Sequence, residues 1–112
     1  MTKSFKYALQ GIIDALKSEP NLSVHFLFAL LVLIFAYFFE FSKQEVAILI
    51  LTIFFVITFE MINTAIEKLV DLHSLEKTEL ARQIKDISAA VVLFASITSI
   101  IIAGLLFIPK II

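Results

Sequence analysis

Glu60, Asn63, Thr64, Glu67 and Asp71 share one side of a helix. At 100° per residue they fall at about 0°, 300°, 40°, 340° and 20°, while Met61, Ile62, Ala65, Ile66 and Leu69 cover the remaining circumference. The two glutamates are about two helical turns apart, so they meet different depths and suit different work. Glu60 is set where the hydroxyl of a lipid headgroup reaches it, as a general base requires. Glu67 lies nearer water, where magnesium binds through one or two carboxylates together with phosphate oxygens and retained waters. Asn63 lies between them as a neutral hydrogen-bonding group.

The elements that must hold this stripe are membrane helices. Of 112 residues, 61% are hydrophobic and the mean hydropathy is +1.04, well above the roughly 45–50% apolar content of an ordinary soluble domain. Phe5, Leu9, Ile12, Ile13 and Leu16 recur at helical spacing with Lys6, Gln10, Asp14 and Lys17 on the other side, the pattern of an amphipathic helix lying in the membrane surface over about residues 4–18. Pro20 disfavours a helical Glu19 and suits the first turn of a new helix, so a break is expected there. From Leu22 to Phe39 there is no formal charge, and about 18 residues suffice for a span. Ser42 and Glu45 have the form of a capping box opening the next helix, which makes an antiparallel hairpin. The second apolar run is interrupted by Glu60 and Glu67. A third runs uncharged from Ile87 to Ile108, stopped by Pro109, with Glu79 to Asp86 as a polar first portion of the same helix. The expected fold is therefore all-α and integral to the membrane, one domain over 1–112 with spans at about 21–40, 45–70 and 80–108.

Seven of the nine basic residues lie on one side of these spans: Lys3, Lys6, Lys17, Lys68, Lys77, Arg82 and Lys85, against Lys43 and Lys110. The positive-inside rule puts the N-terminus and the second connection in the cytoplasm and the C-terminus outside. Counting 1.5 Å per residue from Glu45, Glu60 lies roughly 22 Å into a layer of about 30 Å, in its inner third. A carboxylate there costs a few kcal/mol unless it faces the bundle interior or an aqueous cleft. The net charge of −1 supplies no field to recruit nucleic acid. The absence of cysteine excludes disulfides, thiolate metal sites and a cysteine nucleophile. No small-residue cleavage site follows the first apolar run, so no cleaved signal peptide is expected. A chain this small cannot enclose a large ligand alone, and such a ligand must bind at the membrane surface or between subunits.

The run Glu60-Met-Ile-Asn63-Thr-Ala-Ile-Glu67-Lys-Leu-Val-Asp71 resembles the E-x-x-N-[ST]-A-I-E-x-x-V-D signature of the bacterial diacylglycerol kinase and undecaprenol kinase family. Agreement extends to Glu19, to Ala81-Arg82-Gln83-Ile84-Lys85-Asp86 and to the opening Ser4-Phe5-Lys6-Tyr7-Ala8. The resemblance implies a homotrimer of three-span protomers with a surface helix, in the bacterial inner membrane, phosphorylating a lipid alcohol, diacylglycerol or undecaprenol, with ATP and Mg2+. It implies Glu60 as the general base, Glu19 and Glu67 on the magnesium of the ATP phosphates, and Tyr7, Glu76, Lys85 and Asp86 as nucleotide contacts beside Glu19 and Glu67. Asn63 and Asp71 would act in support, and the active site would form between protomers. Where the family commonly has E-Y-H, this chain has Glu76-Lys77-Thr78, and Glu19 is followed by Pro20.

Blander roles compete with these. The carboxylates of the stripe could pair with Lys68 or Lys85 and only join helices, although one ion pair accounts for one glutamate and not for five polar residues in line. Lys85 suits a phosphate as a point charge and otherwise marks a charged helix boundary with Asp86. A lone histidine such as His25 is more often a headgroup or intrahelical contact than a metal ligand, and His73 reads as solvated. Tyr7 fits an interfacial anchor as well as a nucleotide contact, and the phenylalanines read as packing and lipid-facing bulk. From a different class, the stripe could line a proton- or cation-conducting oligomer, or belong to a structural subunit. A conducting carboxylate is expected nearer the midplane with small residues packing the helices, whereas this chain has two glycines and its charges at the cytoplasmic edge.

Overall fold

The computed structural model describes residues 2–73 and 78–112, which form four helices in order: α1 Thr2–Ser18, α2 Pro20–Phe38, α3 Lys43–His73 and α4 Glu79–Ile111. Each junction follows from local chemistry. Glu19 is extended, with φ −126° and ψ 97°, as a residue before proline prefers, and Pro20 takes a first-turn position where its missing N–H is not needed. The last turn of α1 is closed by the Glu19 N–H donating to the Ala15 carbonyl at 2.9 Å.

Residues 39–42 link α2 to α3. The Phe41 N–H donates to the Ala36 carbonyl at 3.1 Å and the Glu40 N–H to that of Tyr37 at 3.2 Å, the paired bonds of a Schellman ending. Glu40 takes the left-handed position with φ 56°, where glycine is the usual residue. Ser42 and Glu45 then make the expected capping box: the Ser42 N–H donates to Glu45 Oε1 at 2.9 Å, and the Glu45 N–H to Ser42 Oγ at 3.1 Å.

At the start of α4 the Thr78 hydroxyl accepts from the Ala81 N–H at 3.0 Å, satisfying one of the unpaired donors of a helix N-terminus. Arg82 then bridges Glu79 and, at 2.6 Å, Asp86. The polar first turns and the apolar run form one helix, as the sequence suggests. Pro109, which the sequence marks as its stop, lies inside α4 instead. So close to the end a proline forfeits a single backbone bond, and the Ile112 N–H still donates to the Ile108 carbonyl at 3.1 Å. His73, read from sequence as part of a polar connection, is the last residue of α3.

Helices α2, α3 and α4 are long and apolar enough to cross a membrane, with mean hydropathies of 2.1, 2.3 and 2.7 over their most apolar stretches. Helix α3 packs against each of the other three, most extensively against α4. A small core joins three helices: Ala15 of α1, Leu22 of α2 and Ile57 of α3 are buried, with Leu16, Ile53 and Met61 packed against them. Most large apolar side chains of the spans point outward, Leu51 and Phe94 among them, as suits helices whose backbone bonds are internal and whose solvent is hydrocarbon. At one end Lys110 Nζ lies 3.0 Å from Glu45 Oε1 and over the Phe41 ring, whose centroid is 4.7 Å from that of Phe107. This clasp ties the last turns of α4 to the first turn of α3, and the polar stripe lies toward the opposite end of the bundle.

Candidate active site

Depth decides which side chains meet. His25 lies one and a half turns into α2, about 7 Å below its start, and from Val24 to Phe38 only His25 and Tyr37 carry a hydrogen-bonding side-chain atom. Glu60 of α3 comes level with it: His25 Nε2 is 3.1 Å from Glu60 Oε1. The Glu60 side chain is 11% exposed against 34% for the imidazole. Its second oxygen, Oε2, is buried without a hydrogen-bond partner. An acceptor of that kind is costly and rare in a folded protein, and it asks for an explanation. Ile57 and Met61, on the same helix, belong to the small apolar core with Ala15 and Leu22, and the half-buried Glu19, at the end of α1, lies within electrostatic reach.

The stripe divides between two neighbours. Glu60 is turned to α2, whereas the positions that follow serve α4. Asn63 Oδ1 accepts from Ser88 Oγ at 2.6 Å, and its Nδ2 donates to Glu67 Oε1 at 3.3 Å. A hydroxyl donor on one side and a carboxylate acceptor on the other fix which way the amide points. Ser88 is buried, so this clamp crosses the α3–α4 interface away from water. Thr64, also buried, donates its hydroxyl back to the Glu60 carbonyl at 3.1 Å and is committed to its own helix. Further toward the end of α3, Lys85 Nζ is 2.6 Å from Asp71 Oδ1, and Asp86 is engaged by Arg82. Tyr7 stands out from α1, largely exposed. Glu76 and Lys77 lie outside the described residues.

A groove of about 510 Å³ runs along α2, α3 and α4 from His25, past Ile57 and Val56, to Val32, Leu49 and Ser99. Its wall is almost wholly hydrocarbon, and its polar side chains other than His25 are hydroxyls. One end of an apolar channel thus lies at His25, the partner of Glu60.

The sequence matches the model of the prokaryotic diacylglycerol kinase family over residues 6–107. The chain belongs to that family. Its enzyme class is accordingly that of a lipid kinase, and with three apolar helices it is a bacterial membrane protein. Among similar proteins, an undecaprenol kinase of Bacillus subtilis is 38% identical over 108 residues, covering 96% of this chain and 88% of the relative. A diacylglycerol kinase of Synechocystis is 36% identical over 95% of this chain and 61% of the relative. A diacylglycerol kinase of Haemophilus influenzae is 32% identical over 96% and 92%.

Within the family frame, the structure joins Glu60 to His25 with Glu19 in electrostatic reach, joins Asn63 to Glu67 and to Ser88 of α4, and holds Lys85 with Asp71 and Asp86 with Arg82 nearer the end of the bundle. Sequence reasoning missed two side chains that contact the candidate residues, His25 at Glu60 and Ser88 at Asn63. His25 was the only strongly polar group deep in its helix, which is a signal that it needs a partner at its own depth. Ser88 gave no such signal, since a serine can satisfy itself on its own helix.

The magnesium that a kinase of this kind implies can be tested against the donors. Among the described residues no three His, Asp or Glu side chains form a protein cage. An ion that keeps its waters and takes phosphate oxygens needs only one or two carboxylates, and Glu19 and Glu67 are oxygen donors of that type. Glu67 is engaged by Asn63 through Oε1. The donor set fits magnesium held together with phosphates.

Proposed function

We propose that this chain transfers the γ-phosphoryl group of ATP to the hydroxyl of a membrane lipid, diacylglycerol or undecaprenol, at the cytoplasmic face of a bacterial inner membrane. The observation that carries the reading is Glu60: a carboxylate inside a spanning helix, with Oε1 engaged by His25, Oε2 buried and unpartnered, and an apolar groove that ends at that same His25. A lipid whose hydrocarbon chain lies in the groove presents its hydroxyl at the membrane surface side of that chain, where Glu60 stands. Glu60 Oε2 takes the hydroxyl proton as the lipid oxygen bonds to the γ-phosphorus and the bond from phosphorus to the β–γ bridging oxygen breaks, releasing ADP. Glu19 and Glu67 would hold magnesium, and the ion would supply neutralisation of the phosphate charge.

Nucleotide contacts are assigned to Tyr7, Glu76, Lys85 and Asp86 together with Glu19 and Glu67. Lys85 reaches phosphate by exchanging Asp71 for it, and Asn63 and Asp71 support the site. The unit is a homotrimer of single-domain protomers, with α1 as an amphipathic surface helix, the N-terminus inside and the C-terminus outside. The outward apolar faces of the spans support the membrane setting, and the excess of basic residues on one side supports the orientation. The test is the purified protein in detergent with MgATP, offering diacylglycerol and undecaprenol in competition. Phosphorylation of one lipid that is lost in Glu60→Gln, with helicity kept, is the expected result. A Glu60→Gln protein working at the wild-type rate overturns the role of Glu60, and phosphorylation of neither lipid overturns the function.

A further inference from the structure

An imidazole inside a membrane helix needs a reason to be there, and here its contact is with a single carboxylate oxygen. His25 Nε2 lies 3.1 Å from Glu60 Oε1, a normal hydrogen-bond length. A glutamate side chain turns about three bonds, and within the bundle its last torsion is soft. One donated N–H to Oε1 fixes that torsion and leaves Oε2 as the oxygen free to act. Oε2 is the buried atom that has no partner. The same imidazole lines the end of the apolar groove, so the residue that holds Glu60 stands at the path of a hydrocarbon chain.

We propose that His25 is a positioning residue for the phosphoryl-transfer step: it holds Glu60 by Oε1 so that Oε2 meets the lipid hydroxyl. This rests on the reading of Glu60 as the base. His25 takes no proton in the step; the hydroxyl proton ends on Glu60 Oε2, and the imidazole keeps its N–H throughout. In that contact Nε2 is the donor and Glu60 Oε1 the acceptor. A base displaced by about 1 Å loses on the order of 100-fold in rate, whereas MgATP, bound elsewhere, keeps its affinity and a lipid chain in the groove meets an apolar wall with or without the imidazole.

The experiment uses the full chain in lipid–detergent micelles, with MgATP and whichever of diacylglycerol and undecaprenol it phosphorylates. His25→Leu is expected to lower kcat by about 10- to 100-fold with KM for MgATP and for lipid unchanged within about twofold. His25→Gln, whose amide donates from nearly the same place as Nε2, restores most of kcat. His25→Asn, polar but too short to reach Oε1, behaves like His25→Leu and covers the case in which leucine disturbs folding. In a Glu60→Gln background, His25→Leu costs nothing further, because a positioning residue acts only through the group it positions. A full kcat in both His25→Leu and His25→Asn overturns the proposal, as does a rise in lipid KM without loss of kcat. An added loss in the double variant also overturns it, and would mean that His25 touches substrate itself. If Glu60→Gln alone retains the wild-type rate, the base assignment has failed, which is a different result from failure of the His25 role.

Discussion

Replacing Ser88 with alanine should expose how much of the site depends on the α3–α4 interface. The substitution removes the donor to Asn63 Oδ1, at 2.6 Å and buried on the serine side, and leaves the amide without the contact that sets its orientation. In a soluble core an abandoned acceptor costs about 1–3 kcal/mol. Interhelical hydrogen bonds in membranes are weaker, averaging about 0.6 and reaching about 1.7 kcal/mol in double-mutant cycles, because a chain unfolded within the bilayer still finds partners. A short bond at a buried serine belongs in the upper part of that range, so the expected loss is about 1 kcal/mol. The same amide donates to Glu67, and a weakened hold on Glu67 should raise the magnesium concentration needed for half-maximal turnover by up to about fivefold, the equivalent of 1 kcal/mol. The assay is a cycle of Ser88→Ala, Asn63→Ala and the double variant, unfolded by SDS titration with helicity as the signal and compared for magnesium dependence. Stabilities that add to within about 0.3 kcal/mol, with an unaltered magnesium requirement in Ser88→Ala, would refute the clamp.

Other outcomes follow from local geometry. Glu40→Gly should stabilise the protein by about 1 kcal/mol, since a side chain in the left-handed region is strained by about that amount, and a higher unfolding midpoint is the check. Asp71→Asn releases Lys85 from a mostly exposed pair worth at most about 1 kcal/mol. If Lys85 serves phosphate, KM for MgATP falls while stability hardly changes; an unchanged KM would mean that the pair only joins α3 to α4. Lys110→Met should lower stability by up to about 1 kcal/mol through loss of the Glu45 ion pair and the Phe41 contact, with kcat unchanged because the clasp is at the far end of the bundle. Chelation of magnesium should stop turnover and leave circular dichroism unaltered, since the described helices are held by their own backbone bonds.

Local features were the ones legible in the sequence. The break at Glu19-Pro20, the box of Ser42 and Glu45 and the three apolar runs each depend on neighbours in the chain, and each appears in the structure where expected. The face shared by Glu60, Asn63 and Glu67 is fixed by helical periodicity alone. What the stripe touches is a matter of how far each helix is shifted along its neighbour, and a single sequence does not contain that number. Hence His25 looked like a headgroup contact, and Ser88 went unnoticed among the small residues of α4. Glu40 and Pro109 mislead for another reason: propensity gives the cost of an unfavourable backbone position, but not whether the surrounding turn bonds offset it.

That α3 touches all three other helices bears on how the protein is made. Spans leave the insertion machinery in chain order, so α2 and α3 meet before α4 has been synthesised. At that moment Glu60, the deepest carboxylate, already has His25 beside it, whereas Asn63 and Asp71 still wait for Ser88 and Lys85. The costliest charge is therefore the first to find company, and the hairpin can settle in the bilayer while the later half of the site is still being translated.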